Sequence, residues 1–235
     1  MLILAAGRGS RLKEFTKNTP KPILAIPGGN ILQRLILQIS LFIDISNIWI
    51  NVSTLPNQMV ESISKIEKAT NLNILWEPEL LGSSLTFYEM RQLFNDDFLI
   101  IHGDLVLSNS YVLRLWELLN KSSESFLICH RRQLSNARSI VEISENGLVY
   151  QLLEAPTMNT KNREVLCNSG IYLVQAEEKF ENDYIPKGDF VKNQIQTLIS
   201  QQKLFAEVIE EPRIAVDSPE ALSAAISLAR FDRPL

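Results

Sequence analysis

The segment from Gly7 to Lys21 holds the residues whose types and spacing are best suited to chemistry. Its cations are Arg8, Arg11, Lys13, Lys17 and Lys21, and its single acid is Glu14. The whole chain of 235 residues has a formal net charge of −4, so its composition does not explain a local excess of cations. Cations beside glycines, whose backbone N–H groups a ligand can approach closely, are typical of phosphate sites. This basic segment therefore predicts an anion site.

One arginine and one lysine in the basic segment are well suited to bind phosphate oxygens. Arg11 can bind them with a bidentate fork, and Lys21 can act as a point charge. No Gly-Lys-Ser/Thr sequence closes a Walker A loop here, and Leu12 stands where the dinucleotide fingerprint needs its third glycine. The Gly-x-Gly pattern taken alone is also explained by a glycine-rich turn that binds no phosphate and whose charged neighbours are solvated.

The elements that position these residues alternate between short apolar runs and segments of helical period. Strands are predicted at "LILAA", "NIWINVS", "LNILW" and "DFLIIHGD", and helices at "NQMVESISKIEKA", "SLTFYEMRQLF" and "SYVLRLWELLNK". Ile31, Leu35 and Ile39 mark one face of a further helix. This alternation predicts a parallel sheet covered by helices on both faces. In such sheets ligands bind beyond the carboxyl ends of the strands, which is where the basic segment begins.

The pattern changes after about Ser125. Strands are predicted at "SFLICHR", "RSIVEIS", "LVYQLLE", "GIYLV" and "LFAEVIE", and "ENG" predicts the turn of a hairpin. A helix is predicted around Phe190, and a closing helix begins with Ser218 as its N-cap and Pro219 at its first position. No repeat or linker interrupts the sequence, so we predict one domain over residues 1–235.

Composition excludes several other classes of protein. The pI of about 5.4 argues against a nucleic acid partner. Cys129 and Cys167 lack metal-ligand spacing and are predicted to be reduced core thiols. The most apolar stretch, residues 31–50, is interrupted by Arg34 and Asp44, and the N-terminus lacks a basic leader region. We therefore expect a cytoplasmic protein with no membrane partner.

The string "LAAGRGSRL" followed by "TPKPIL" resembles the signature of the sugar-1-phosphate nucleotidylyltransferases. Four further landmarks of that family follow in order, namely "LLGSSLTF", "DFLIIHGD", "NSGIY" and "AVDSPEAL". The resemblance spans nearly the whole chain and is closest to the short single-domain members. It implies a Rossmann-like mixed α/β sheet wrapped by helices, with a nucleotide-binding half at 1–124 and an acceptor-binding half at 125–235.

The resemblance also implies a reaction and a set of site residues. A nucleoside triphosphate and a sugar 1-phosphate would give a nucleoside-diphosphate sugar and pyrophosphate, for polysaccharide or glycan precursors. Arg11 would hold the leaving pyrophosphate, and Lys21 would stabilise charge near the α-phosphate. Asp104 and Asp217 would bind Mg²⁺. The nucleotide would lie on Leu4, Ala5, Ala6, Gly7, Gly9, Ser10, Gly82 and Ser83, and the acceptor on Asn168 and Glu154.

Each assignment has a simpler alternative. Asp104 could cap a helix or form a turn, Asp217 could merely begin the closing turn, and Lys21 could be a solvated loop charge. His102 is interpreted as a pocket-lining residue rather than a general base, because the reaction asks little of one.

The sequence departs from the family at Ala155, where relatives carry the lysine that binds the acceptor phosphate. If the acceptor is a sugar phosphate, a substitute cation is expected, and the candidates by proximity are Lys161, Arg163, Arg131 and Arg132. Ala155 also favours an alternative, a CTP-dependent cytidylyltransferase acting on phosphocholine or a similar small phosphate. A non-catalytic nucleotide-binding relative is a third reading, which the retention of Arg11, Lys21 and Asp104 disfavours. The base, the sugar and the oligomeric state are left open.

Overall fold

The structure is a computed structural model that describes residues 1–7, 9–53, 55–66, 69–154, 163–180 and 188–232. The chain forms two compact units, each assembled from separated stretches. The first unit comprises Met1–Leu80, Ile101–Asn120 and Glu211–Leu235, and the second comprises Leu81–Ile100 and Lys121–Glu210. One functional domain over 1–235, divided at residue 124, stays a prediction.

Strands and helices alternate through the first part of the chain, as predicted. The strands are β1 (Leu2–Leu4), β2 (Ala25–Ile26), β3 (Gly29–Asn30), β4 (Trp49–Val52), β5 (Asn73–Trp76), β6 (Phe98–His102), β7 (Leu105–Leu107), β8 (Phe126–Gln133), β9 (Ser139–Ile143), β10 (Val149–Glu154), β11 (Glu164–Val174), β12 (Phe205–Val208) and β13 (Arg213–Ala215). The α-helices are α1 (Ile31–Ile39), α2 (Pro56–Ser64), α3 (Ser83–Leu93), α4 (Asn109–Leu119), α5 (Gln196–Ser200) and α6 (Pro219–Phe231).

The first unit is built on a parallel sheet. Strand β1 lies beside β4, with Leu2 opposite Trp49, and β4 lies beside β5 in the same direction. Leu2 and Ile3 are both fully buried, as expected for a parallel strand covered on both faces. The carbonyl of Leu4 accepts a hydrogen bond from Gly103 N at 2.9 Å, so the end of β1 lies beside the end of β6.

A second feature of this unit is the antiparallel pair β7 and β13, in which Leu105 lies opposite Ala215. Helix α6 follows β13 and begins as predicted, because Ser218 accepts a hydrogen bond from Ala221 N at 3.2 Å. Leu12, from the basic segment, is buried in the same apolar cluster as Val106, Val216 and Leu222. The basic segment is therefore anchored in this cluster rather than lying loose on the surface.

The second unit is mainly antiparallel. Strand β11 pairs with β8 and β9, the β9–β10 hairpin forms where it was predicted, and β12 runs parallel to β8. Cys129 lies opposite Asn168 and Cys167 lies opposite His130, so the two buried thiols project to opposite faces of the sheet. The helix predicted around Phe190 begins with a π-helical turn, Val191–Ile195, which continues into α5.

The apolar stretch from residue 31 to residue 50 divides between α1, a short 3-10 turn at Ile45–Asn47 and the start of β4. Arg34, which interrupts it, is buried and donates hydrogen bonds to the carbonyl of Leu107 and to Asp232. Among the described residues, none of the helices has the length and apolarity needed to span a bilayer.

Candidate active site

In the first unit, the turn after β1 is held by a side chain from the neighbouring strand. Asn51, in β4, is almost fully buried, and its Oδ1 accepts hydrogen bonds from Ala5 N at 2.6 Å and Ala6 N at 3.2 Å. Its Nδ2 donates to Glu77 Oε1 at 2.9 Å. The N–H groups of Ala5 and Ala6 are thus occupied, and a nucleotide would have to contact other atoms of these predicted binding residues.

The basic segment then turns sharply at Gly9. Its φ of +63° lies in the left-handed region, and an added Cβ would lie 3.0 Å from Lys21 Cβ and 3.1 Å from Thr16 Cγ2. The Gly9 carbonyl accepts hydrogen bonds from Leu12 N at 3.0 Å and Thr16 Oγ1 at 2.9 Å. Close packing and backbone conformation therefore both require glycine at this position, and the 3-10 turn Ser10–Thr16 follows it.

Gly7 differs from Gly9. It does not have a positive φ, and an added Cβ would meet no atom of the described residues within 4 Å. A left-handed backbone conformation therefore does not explain the glycine at this position. Open space beside the backbone is consistent with the close approach of a ligand.

Lys21 and Asp104 form an ion pair at the ends of the basic segment and of β6. Their side chains are only 17% and 19% exposed. Burial alone would raise the pKa of Asp104, but the positive charges of Lys21, His102 and Arg213 outweigh burial and leave its pKa below the ordinary value. Asp104 is therefore a carboxylate, and Lys21 is more than a solvated loop charge.

Asp217 lies beside Asp104 because the β7–β13 pairing continues past the ends of both strands. Val216 N donates to the carbonyl of Asp104 at 3.0 Å, which places the next residue, Asp217, alongside. Arg11 Nη1 lies 3.9 Å from Asp217 Oδ2, and the Arg11 side chain is 73% exposed. The four predicted catalytic and metal-binding residues thus form two cation–carboxylate pairs within one unit.

These two carboxylates suit a hard divalent cation. Magnesium prefers oxygen ligands and commonly takes one or two carboxylates, with phosphate oxygens and water completing its shell. Within the described ranges, no group of three or more His, Cys, Asp or Glu side chains is placed to hold a metal ion.

In the second unit, the predicted loop at Gly82 and Ser83 packs against the backbone that precedes the π-helical turn. Gly82 has a φ of +87°, and an added Cβ would lie 2.5 Å from the carbonyl oxygen of Gly188. Ser84 N donates to that oxygen at 3.1 Å, and Ser83 Oγ accepts from Phe190 N at 2.8 Å. Only glycine fits at position 82, and Ser83 fixes the neighbouring segment.

Asn168 is held rigidly on β11. Its Nδ2 donates to Tyr172 Oη at 2.7 Å, and its Oδ1 accepts from Gly170 N at 2.9 Å across an irregularity in the strand. Burial raises the pKa of Tyr172, so its hydroxyl stays neutral. The amide of Asn168 is therefore presented in one orientation, as a binding residue requires.

Glu154 ends β10 and belongs to a cluster that sequence reasoning missed. Burial and the negative charge of Asp189 raise its pKa, and Lys192 opposes them. Asp189 Oδ1 accepts hydrogen bonds from Val191 N at 2.8 Å and Lys192 N at 3.3 Å. Asp189, directly before the apolar periodic run that starts at Phe190, is a helix-start signal, but it does not indicate which strand the helix packs against.

Four cations are predicted to substitute for lysine at Ala155, and the structure describes three of them. Ala155 and Lys161 lie outside the described residues. Arg131 Nε lies 3.1 Å from Glu210 Oε1, so its charge is already paired. Arg132 lies opposite Val165 near the start of β11, and Arg163 comes just before that strand.

The chain matches the model of the nucleotidyl transferase family over residues 1–212 and belongs to that family. It is 29% identical over 171 residues to the bifunctional protein GlmU of Methanocaldococcus jannaschii, a match that covers 73% of this chain and 38% of GlmU. It is 24% identical over 203 residues to a UTP–glucose-1-phosphate uridylyltransferase of Synechocystis, covering 80% of this chain and 51% of the relative. The chain thus matches only 38% and 51% of the length of these two relatives.

The fold is similar to that of HddC from Yersinia pseudotuberculosis, solved with GMP-PN. The TM-score is 0.75 at 21% identity, and the match covers 98% of both chains. This likeness confirms the mixed α/β fold of the nucleotide-diphospho-sugar transferases. The family match confirms the resemblance read from the sequence, and the enzyme class of the family is the one predicted, nucleotidyltransferase. The roles of individual site residues stay predictions.

Proposed function

We propose that this protein joins a nucleoside triphosphate and a sugar 1-phosphate to give a nucleoside-diphosphate sugar and pyrophosphate. The observation that carries this proposal is the pairing of Lys21 with Asp104 and of Arg11 with Asp217 at the carboxyl end of the first unit's strands. Two cations and two carboxylates at the end of a parallel sheet suit a polyphosphate and its counterion. The family membership of the chain supports the same reaction.

The reaction proceeds by attack of an acceptor phosphate oxygen on the α-phosphorus. The bond from that phosphorus to the bridging oxygen breaks, and pyrophosphate leaves with the electron pair. Because no covalent intermediate on the protein is needed, alignment and charge stabilisation supply the catalysis. Lys21 would stabilise charge at the α-phosphate, and Arg11 would bind the departing pyrophosphate with its fork.

Each of the two cations lies beside a carboxylate before substrate arrives. Lys21 is aligned by its pairing with Asp104, and the exposed Arg11 remains free to swing onto a phosphate. Members of the family usually use a divalent metal ion. A magnesium ion held by Asp104 and Asp217 would supply additional positive charge to the phosphate oxygens.

The nucleoside and the acceptor are assigned to the remaining predicted residues. The backbone at Gly7, Gly9 and Gly82 would allow close approach of the nucleotide, together with the flanking predicted residues Leu4, Ala5, Ala6, Ser10 and Ser83. Asn168, with its amide fixed by Tyr172, would hydrogen-bond acceptor hydroxyls, and Glu154 would accept hydrogen bonds from them. A role in polysaccharide precursor synthesis and a cytoplasmic location stay predictions from the sequence.

A second candidate acceptor is favoured by one observation. The negative charge of Asp189 is close enough to Glu154 to raise the pKa of that residue, and two neighbouring carboxyl groups suit a cationic group. Phosphocholine, activated by CTP, combines a phosphate with a quaternary ammonium. This reading keeps the roles of Arg11, Lys21, Asp104 and Asp217 and changes only the acceptor.

A pyrophosphate-release assay tests the proposal directly. The full chain is incubated with Mg²⁺ and each of ATP, CTP, GTP, UTP and dTTP, against glucose 1-phosphate, mannose 1-phosphate, N-acetylglucosamine 1-phosphate and phosphocholine. Release that depends on a sugar 1-phosphate is expected. Turnover with phosphocholine alone would favour the second candidate, and no release with any pair would contradict both.

A further inference from the structure

The residues predicted to bind the acceptor include no cation. A sugar 1-phosphate carries a doubly charged phosphate, and holding it outside bulk water needs charge-assisted hydrogen bonds. The two predicted acceptor residues, Asn168 and Glu154, carry an amide and a carboxyl group. Neither carries a positive charge that would neutralise a phosphate.

The helical segment from residue 191 to residue 200 lies against β10. Gln196 Nε2 donates to the carbonyl of Leu152 at 2.9 Å, which fixes the segment beside the end of that strand. Lys192 lies one helical turn before Gln196 on the same side of the helix. Glu154 lies two residues beyond Leu152 on the strand. The influence of Lys192 on the pKa of Glu154 agrees with this placement.

The backbone at Lys192 is tied to the rest of the acceptor side. Asp189 accepts a hydrogen bond from Lys192 N at 3.3 Å, and the adjacent Phe190 ring packs edge-on against Tyr172 with centroids 5.2 Å apart. Tyr172 in turn accepts the hydrogen bond from Asn168. Lys192 therefore begins from a fixed backbone position, connected through two contacts to the amide predicted to bind the acceptor.

The ammonium group of Lys192 is available for a ligand. The side chain is exposed, and within the described part of the chain its Nζ makes no hydrogen bond and lies in no ion pair. In contrast, Arg131 is paired with Glu210, and Lys203 Nζ lies 2.8 Å from Glu178 Oε2. The π-helical turn that carries Lys192 is an arrangement often found at functional sites.

We propose that Lys192 binds the phosphate group of the acceptor, a role that rests on the proposed nucleotidyl transfer. Its single ammonium acts as a mobile point charge that reaches the phosphate, while the fixed Asn168 and Glu154 contact hydroxyl groups. Position 155 is an alanine in this sequence. The proposed cation, Lys192, lies 37 residues further along the chain.

The test uses the full chain and four proteins: wild type, Lys192→Ala, Lys192→Arg and, as a control, Lys121→Ala. Lys121 is an exposed lysine of the same unit outside the predicted site. The KM values for glucose 1-phosphate and for the triphosphate are measured separately by pyrophosphate release. Mannose 1-phosphate replaces glucose 1-phosphate if the wild type prefers it. Thermal unfolding of each protein confirms that it is folded.

Lys192→Ala is expected to raise the acceptor KM roughly 10- to 100-fold, the usual effect of losing one hydrogen bond to a charged group. The triphosphate KM should be unchanged, Lys192→Arg should retain most of the affinity, and Lys121→Ala should behave as wild type. An unchanged acceptor KM in a folded Lys192→Ala variant, with an active wild type, would overturn this role alone. A wild type inactive with every acceptor would instead remove the proposed function, and this role with it.

Discussion

Lys21 and Asp104 form an ion pair in which each side chain is less than one-fifth exposed. The pair joins the end of the basic segment to the end of β6, so it is a structural tie as well as a part of the candidate active site. Because a buried charge without a partner is costly, the two residues should depend on each other for stability.

Removing one partner of this pair tests that dependence. Lys21→Met is expected to lower the free energy of unfolding by up to about 3 kcal/mol, because the Asp104 carboxylate is left without its main counter-charge. The double variant Lys21→Met/Asp104→Asn should recover much of this loss. Urea unfolding of the two single variants and the double variant completes a double-mutant cycle. Strictly additive effects would show that the pair contributes no coupling.

Arg11→Ala should separate catalysis from stability. Arg11 is 73% exposed and lies 3.9 Å from its carboxylate, so the free energy of unfolding should change by no more than about 0.5 kcal/mol. Loss of a charge-assisted phosphate contact should cost about 2–4 kcal/mol in the transition state, or roughly a hundredfold or more in kcat. Lys17→Ala, an exposed cation of the same segment, is the control. Turnover near wild type in Arg11→Ala would exclude Arg11 from the mechanism.

Activity should require a divalent cation. It should disappear in excess chelator and return on addition of Mg²⁺, because the two carboxylates suit a hard cation shared with phosphate. Asp104→Asn and Asp217→Asn should each raise the Mg²⁺ concentration that gives half-maximal rate, since each removes one anionic ligand. If only Asp104→Asn does so, Asp217 belongs to the closing turn and not to the metal site.

The glycines of the two units should respond differently to alanine. Gly82→Ala should destabilise the protein by at least about 2 kcal/mol, because the position has a positive φ and its Cβ would lie 2.5 Å from the carbonyl oxygen of Gly188. Gly7→Ala should leave the free energy of unfolding unchanged, since its Cβ would meet no atom of the described residues within 4 Å. A rise in the triphosphate KM of Gly7→Ala would then report a clash with bound nucleotide. An unchanged KM would place the nucleotide away from Gly7.

Asn51 should contribute strongly to the stability of the protein, although it lies outside the basic segment. Asn51→Leu removes the acceptor of two buried N–H groups and the donor to Glu77, and a loss of about 2–4 kcal/mol in unfolding free energy is expected. Asn51→Ser, which keeps a shorter acceptor, should lose less. Hydrogen exchange at Ala5 and Ala6 measures the effect locally, and protection retained in Asn51→Leu would contradict it.

The sequence predicted the parts of this protein that depend on local signals. The buried β1, the apolar face of α1 and the Ser218 cap follow from periodicity and capping preferences, which act over a few residues. The ordered landmarks of the family also led to the prediction of Arg11, Lys21, Asp104 and Asp217 as site residues, and the structure pairs Lys21 with Asp104 and Arg11 with Asp217.

Other features arise only when distant stretches of chain meet. Asn51 is a buried polar residue in an apolar strand, which signals a partner, but its bonds to Ala5 and Ala6 depend on how β4 registers with β1. The contact of Gly82 with Gly188 joins two stretches far apart in the sequence, and the placement of Lys192 depends on how the helical segment 191–200 packs on β10. Such packing leaves no mark in the local spacing of residues.

The positions of Cys129 and Cys167 make the two units distinguishable in solution. Both thiols are buried, both belong to the second unit, and the chain has no other cysteine. Burial raises the pKa of the Cys129 thiol, which further lowers its reactivity in the native state. A thiol reagent added during unfolding will therefore report the opening of the second unit alone. Compared with a global probe, its labelling rate shows whether the unit that carries Asn168 and Lys192 opens independently of the unit that carries the basic segment.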